Sequence, residues 1–349
     1  MKKSEASSSA PMLDCGESGS TLRFFIPIAM AMASEVSFTG HGRLMERPLD
    51  PYFEIFEAKN INYKLKDGVL WVKGRLTSGI YEIDGTVSSQ FITGLLFALP
   101  LLDGDSEITI KGKLTSKAYI DSTLDVMKKF GIEIKNENYS SFTIKGNQKY
   151  KSQNYTVEGD FSNGAFWLVA GALGCNITCE GLEEKSLQGD KKIIEIIERT
   201  GATVERKGKT AIAAHPSADM HGITVDADEI PDLVPILAVL FSFCKGKSRI
   251  ENAGRLRIKE SDRLSAITAE LTKMGATITE GDDFLEIEGC QILSGAELSS
   301  WNDHRIAMAA AIAACRCEGE VSIEGAKKAV TKSYPDFFED YNMLGGNAE

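Results

Sequence analysis

The sequence predicts a mixed α/β (α+β) chain of two domains, each built by repeating one helix-and-strand unit. Three observations carry that expectation. A chain of 349 residues is long for a single hydrophobic core. A short strand ending in a turn residue returns about every 70 residues, and an amphipathic helix closing on glycine follows most of those strands.

The strands are Val36-Ser-Phe-Thr-Gly40, Ile108-Thr-Ile-Lys-Gly112, Ile177-Thr-Cys-Glu-Gly181, Ser248-Arg-Ile-Glu-Asn252 and Val321-Ser-Ile-Glu-Gly325. Their turn residues lie 72, 69, 71 and 73 apart, too regular for chance and too long for a solenoid repeat. Before each strand comes an apolar helix of small residues with a polar start: Glu17-Ser-Gly-Ser-Thr, Ser88-Ser-Gln, Asp160-Phe-Ser-Asn, Pro231-Asp-Leu and Asn302-Asp-His-Arg. Helix starts offer unpaired N–H groups and the positive dipole end, so these five are the natural places for an anion site.

Amphipathic helices close at Gly131, Gly201 and Gly275, where glycine suits a left-handed cap. Short alternating strands follow, such as Ala202-Thr-Val-Glu-Arg and Ala276-Thr-Ile-Thr-Glu, so each unit reads helix, strand, helix, strand, with a further strand leading on. Five such units are visible. Residues 1–13 precede the first as a polar tail rich in Lys, Ser and Ala.

Composition narrows the class. Hydrophobic residues at 43% and charged residues at 26% are those of a globular chain. The longest apolar runs, 24–33 and 306–315, fall short of the roughly 20 residues a spanning helix needs, and no signal-peptide core opens the chain. With 39 basic against 50 acidic residues the net charge is −11, which opposes nucleic acid and anionic membrane as partners. Seven cysteines, without a C-x2-C pair, read as buried thiols of a reducing, cytoplasmic compartment. No Walker loop, dinucleotide fingerprint or His/Cys ligand cluster is present, so neither cofactor nor metal is expected.

An acidic chain that binds an anion must do so with local cations, and residues 257–263, Arg-Ile-Lys-Glu-Ser-Asp-Arg, supply three at the mouth of a helix. Arg257, Lys259 and Arg263 there suggest an anionic ligand. The plainer alternative is a solvated first turn capped by Ser261 or Asp262.

Taken together, Gly16-Glu-Ser-Gly-Ser-Thr-Leu-Arg23, Glu46-Arg-Pro-Leu49, Ser88-Ser-Gln90, Ser116-Lys-Ala-Tyr119, Gly159-Asp-Phe-Ser162, Ile230-Pro-Asp232, residues 257–263, Asp303-His-Arg305 and Lys332-Ser-Tyr-Pro-Asp336 resemble the 5-enolpyruvylshikimate-3-phosphate (EPSP) synthase family in order and spacing. The resemblance implies a two-domain, inside-out α/β prism of βαβαββ repeats, with substrates in the cleft between the domains. Here it implies a first domain over residues 1–158 with two repeats and a second over 159–349 with three. That is five of the family's six, the N-terminal repeat being the one without a counterpart. The family tends to be monomeric.

By the same resemblance, the reaction transfers the enolpyruvyl group of phosphoenolpyruvate to the 5-hydroxyl of shikimate 3-phosphate. Gly19, Arg47, Gln90, Arg263, His304, Arg305 and Lys332 match the positions that hold phosphoenolpyruvate. Ser20, Ser88, Ser89, Gln90, Ser116, Tyr119, Asp232, Arg255 and Lys259 match those that hold shikimate 3-phosphate. Asp232 is then the expected base, kept ionised by its helix start, and Glu260 the expected donor to carbon, with Lys332 or His304 sharing proton traffic. Glu17 and Arg255 both stand where the family commonly has Asn, which suggests an electrostatic trade between them. The sister family, UDP-N-acetylglucosamine enolpyruvyl transferase, would carry a cysteine before its Arg-Pro pair, where this chain has Gly42-Arg43-Leu44.

Overall fold

The computed structural model describes residues 10–290 and 292–349, which separate into two units, one ending at Asn154 and the other starting at Tyr155. The division falls four residues before the 158/159 boundary expected from the resemblance. Most of the 1–13 tail lies outside the described residues.

The first unit contains the repeat twice. In the first copy β1 (Met12–Asp14), α1 (Gly19–Met32), β2 (Glu35–Thr39), α2 (Asp50–Ala58), β3 (Asn62–Lys66) and β4 (Val69–Lys73) give a sheet ordered β1-β2-β4-β3. In the second β5 (Gly79–Asp84), α3 (Ser89–Ala98), β6 (Ser106–Lys111), α4 (Lys117–Lys129), β7 (Ile134–Glu137) and β8 (Ser141–Ile144) give β5-β6-β8-β7. In both copies the first pair is parallel and the other two are antiparallel.

The second unit holds α5 (Phe161–Ala172), β9 (Thr178–Cys179), α6 (Lys192–Arg199), β10 (Thr203–Lys207) and β11 (Ala211–His215), with sheet order β10-β11-β9. A full copy follows: β12 (Thr224–Asp226), α7 (Val234–Ser242), β13 (Lys247–Glu251), α8 (Arg263–Lys273), β14 (Thr277–Glu280) and β15 (Leu285–Glu288), ordered β12-β13-β15-β14.

The fifth copy departs from the expected pattern. β16 (Leu293–Ser294) and β17 (Glu297–Ser299) precede α9 (His304–Ala314), and β18 (Cys317–Glu318) and β19 (Ser322–Glu324) return parallel to them. Where the repeat has a helix and two further strands, α10 (Ala326–Val330) and α11 (Phe337–Met343) close the chain. The reason lies in the aromatic residues: Phe337 stacks on Trp167 at 5.0 Å and Tyr341 tilts against it at 6.5 Å, so this segment packs onto α5.

Burial sorts the helices as their composition implied. α5, α7 and α9 are buried nearly all round, whereas α6 shows its Ile193, Ile194, Ile196 and Ile197 to the core and its charges to water. Gly131, Gly201 and Gly275 end their helices at φ +84°, +93° and +93°, conformations that a Cβ would strain. Among the described residues no helix is long and apolar enough to cross a membrane.

Candidate active site

In the first unit the site residues sit on backbone features. Ser18 caps α1 by accepting from the Thr21 N–H at 3.1 Å, which places Gly19 and Ser20 in the first turn. The Ser20 hydroxyl lies 3.2 Å from that of Ser18. A Cβ at Gly19 would stand 2.7 Å from Arg47 Nη1 and 2.9 Å from its Cζ, so the Arg47 guanidinium lies directly on the glycine. Glycine there is what lets the Arg47 guanidinium come this close.

Arg47 follows the short 3-10 turn Leu44–Glu46 and precedes Pro48, whose carbonyl accepts from Arg23 at 3.1 Å. Arg23 also donates to the Gln90 side-chain oxygen at 2.7 Å. Gln90 is in the first turn of α3, capped by Ser88, with Ser89 buried beside it. These bonds bring the starts of α1 and α3 and the Arg47 turn to one place. Ser116 precedes α4 in a left-handed conformation at φ +55°, buried, while Tyr119 one turn later is 37% exposed.

In the second unit charge does the organising. Asp232 lies in the 3-10 turn Pro231–Leu233 that leads into α7. Its carboxylate accepts from Arg263 at 2.8 Å and from Arg305 at 3.2 Å, with Lys259 at 3.7 Å. Arg263, 1% exposed, also donates to Glu260 at 2.8 Å and to Asp303 at 2.8 and 3.3 Å. Asp303 is fully buried, caps α9 through the Arg305 N–H at 2.9 Å, and accepts from Ser261 at 3.0 Å. Ser162, at the start of α5, bonds to the buried Asp190. Asp190 in turn feels both Asp232 and Arg305. The starts of α5, α7, α8 and α9 therefore meet. Lys332 reaches the Asn302 carbonyl just before α9, and Arg255 donates to the Asp228 carbonyl at 2.5 Å and to its carboxylate at 3.5 Å.

The electrostatics follow from these contacts. Burial works against the ionised form of Asp232, but Arg305, Lys259, Arg263 and His304 outweigh it and hold the carboxyl well below the usual range. Asp303 is likewise lowered, burial being overcome chiefly by Arg263. His304 goes to about 4 because it is buried and faces Arg305 and Arg263, so its ring is neutral near pH 7. Asp190 goes up to about 6 through burial and the neighbouring charge of Asp232.

Two expectations change. Arg257 is not part of the cation cluster: it donates to Asp262 at 2.9 Å, Glu280 at 2.8 Å, Ser265 at 3.2 Å and the Asp282 and Gly281 carbonyls, fixing the β14–β15 turn. Three surrounding cations account for the ionisation of Asp232, whose own turn is only 3-10 before α7 begins at Val234. The cap of α8 is Asp262, which accepts from the Ser265 N–H.

Arg23, Asp190 and Asp303 join the site without a role expected from the sequence. For Arg23 a signal existed, since it lies four residues after Gly19 and therefore on the same helix face. Asp303 could have been read as an N-cap, but its pairing with Arg263 spans 40 residues and leaves no local trace.

The EPSP synthase (3-phosphoshikimate 1-carboxyvinyltransferase) family profile matches residues 2–341 of this sequence. The chain belongs to the EPSP synthase family. The 3-phosphoshikimate 1-carboxyvinyltransferase of Clostridium acetobutylicum is 52% identical over 338 residues, covering 96% of this chain and 78% of that relative. The enzyme of the same name from Clostridium novyi is 54% identical over 336 residues, 96% and 77%. Among solved structures, EPSP synthase from Acinetobacter baumannii superposes with a TM-score of 0.76 at 26% identity, over 98% of this chain and 80% of that one. The enolpyruvyl transferase NikO from Streptomyces tendae shares the fold, with a TM-score of 0.75 at 17% identity over 94% and 76%. The enolpyruvyl transferase fold thus accounts for the repeated four-stranded mixed sheets.

Proposed function

We propose that this member of the EPSP synthase family transfers the enolpyruvyl group of phosphoenolpyruvate to the 5-hydroxyl of shikimate 3-phosphate, releasing phosphate, as a cytoplasmic monomer. The observation that carries the reading is the carboxylate of Asp232 held by Arg263, Arg305 and Lys259 where four helix starts meet. Paired guanidinium donors suit carboxylate and phosphate oxygens, and Gly19 lets the Arg47 guanidinium lie against the start of α1, where an anion is favoured.

On this reading Asp232 takes the proton of the 5-hydroxyl as its oxygen attacks C2 of phosphoenolpyruvate, while C3 gains a proton and becomes a methyl group. The tetrahedral intermediate then loses a proton from that methyl group and expels phosphate, restoring the double bond. In the free protein the three cations make Asp232 a weak base. As substrate anions draw donors from Arg263 and Arg305, that compensation falls and its proton affinity rises. Neutral His304 then acts as a hydrogen-bond donor, Glu260, which bonds Arg263 at the start of α8, exchanges protons with carbon, and Lys332, at the start of α9, shares the proton traffic. Ser20, Ser88, Ser89, Ser116, Tyr119 and Arg255 hold the shikimate ring and its 3-phosphate.

Phosphate release from the two substrates tests the reading, with Asp232→Ala as control and UDP-N-acetylglucosamine as alternative acceptor. Release with shikimate 3-phosphate alone, abolished in Asp232→Ala, is expected. Release with the nucleotide sugar would move the chain to the sister activity. A form extended at its N-terminus by the matching segment of the Clostridium acetobutylicum relative tests whether the described residues suffice.

A further inference from the structure

We infer that Arg23 is a positioning residue that fixes which end of the Gln90 side-chain amide is offered to the anionic substrate. The inference rests on the proposed reading of Gln90 as a phosphoenolpyruvate contact. Arginine carries five N–H donors and no acceptor, so only the oxygen of a neighbouring carboxamide can face it. The bond from Arg23 Nη1 to Gln90 Oε1 at 2.7 Å therefore turns the amide NH2 the other way. That direction matters, because a carboxylate or phosphate accepts hydrogen bonds and would be repelled by the amide oxygen.

Arg23 is itself held so that it cannot follow a rotation of Gln90. Arg23 is 4% exposed, and its guanidinium stands 4.7 Å from the centre of the Phe91 ring and gives a second bond to the Pro48 carbonyl. Its backbone is fixed by a local exception. Pro27 has no N–H to return to the carbonyl four residues earlier, which is that of Arg23, and the buried Tyr52 hydroxyl donates to this oxygen at 2.6 Å instead. The same hydroxyl lies 3.0 Å from the Phe91 carbonyl on α3, beside Gln90. The proline in α1 thus frees a carbonyl through which α1 and α3 are tied at the level of Gln90.

The test is steady-state phosphate release by Arg23→Met, Gln90→Ala, the double variant and Gln90→Glu, with thermal unfolding of each. Arg23→Met and Gln90→Ala are each expected to raise KM for phosphoenolpyruvate about tenfold with kcat changed less than about threefold, and the double variant to be no worse than Gln90→Ala alone. Gln90→Glu keeps a partner for Arg23 and so should unfold no earlier than the parent, yet it lacks the NH2 and should raise KM as much as Gln90→Ala. This variant decides the matter even where Arg23→Met folds poorly. A parent-like KM in Gln90→Glu with a raised KM in Gln90→Ala, or an Arg23→Met effect of undiminished size in the Gln90→Ala background, overturns the positioning role. Unchanged KM in both Gln90 variants overturns the reading of Gln90 itself, and no phosphate release from the parent removes the proposed function and this inference with it.

Discussion

The two units hold their candidate residues by opposite means. In the first, position comes from backbone: caps at Ser18 and Ser88, a glycine that admits Arg47, and groups that do not titrate near neutral pH in Ser20, Ser88, Ser89 and Gln90. In the second, position comes from balanced charge, with Asp232, Glu260 and Asp303 arranged around Arg263 and Arg305. A site set by backbone tolerates loss of a side chain but not the addition of one. A site set by buried charge tolerates neither, because a deleted partner leaves an uncompensated ion.

The largest effect that would break this comparison is at Asp303. Asp303→Ala removes both the cap of α9 and the most deeply buried of the three carboxylates paired with Arg263, and should cost about 3–5 kcal/mol by urea unfolding. Phosphate release should fall at least about a hundredfold, since Arg263 no longer has a fixed orientation toward Asp232. Asp303→Asn, which keeps a cap, should recover part of the stability. Loss below about 1 kcal/mol in Asp303→Ala would mean that charge is not what organises this unit.

Next comes a pH effect confined to the second unit. His304 is held near 4 in the folded protein against 6.5 for a free imidazole, so between those values the unfolded chain binds the extra proton, and on this residue alone stability falls as pH drops from 6.5 to 4. Asp190 has the opposite sign: at about 6 folded against 3.8 unfolded, it adds stability as pH falls through that range. Each amounts to roughly 3 kcal/mol at full extent, and the two act in opposite directions on the parent's profile. His304→Gln should then gain stability on acidification and Asp190→Asn should lose it. Parallel profiles for the two variants in urea unfolding across that range would refute the assignment.

What could be read from the sequence divides along the same line. Backbone features leave local signatures: the cap glycines at 131, 201 and 275, the polar starts at Ser88 and Asp303, and the apolar composition of α5, α7 and α9 were all legible. Charge balance does not. The segment 257–263 contributes Lys259 and Arg263 to one cluster and Arg257 to another, and nothing in the spacing separates them, because the partners that divide them, Asp232, Glu280 and Asp303, lie in three other segments. The fifth repeat misled for a related reason, since the aromatic residues that direct α11 onto Trp167 lie about 170 residues from it in sequence.

In the first unit, Gly19→Ala adds a methyl group where the nearest atoms belong to the end of a flexible arginine. The helix gains from alanine, so stability should change by less than about 1 kcal/mol. KM for phosphoenolpyruvate should rise about tenfold, because Arg47 must leave the helix start to make room. An unchanged KM would show that Arg47 does not act from this position.

The smallest expected effect sharpens the comparison most finely, because it sets apart two arginines six residues from each other. Arg257→Ala should lower stability by about 1 kcal/mol, since it frays the β14–β15 turn and leaves Glu280 with one fewer donor. Both KM values and kcat should stay within about twofold of the parent, whereas Arg263→Ala should abolish phosphate release. The contrast rests on what each guanidinium faces: Arg257 is surrounded by carbonyls and carboxylates of its own hairpin and cap, and Arg263 by the carboxylates of the α7 and α9 starts. A KM for shikimate 3-phosphate raised tenfold in Arg257→Ala would return that residue to the anion site where the sequence alone had placed it.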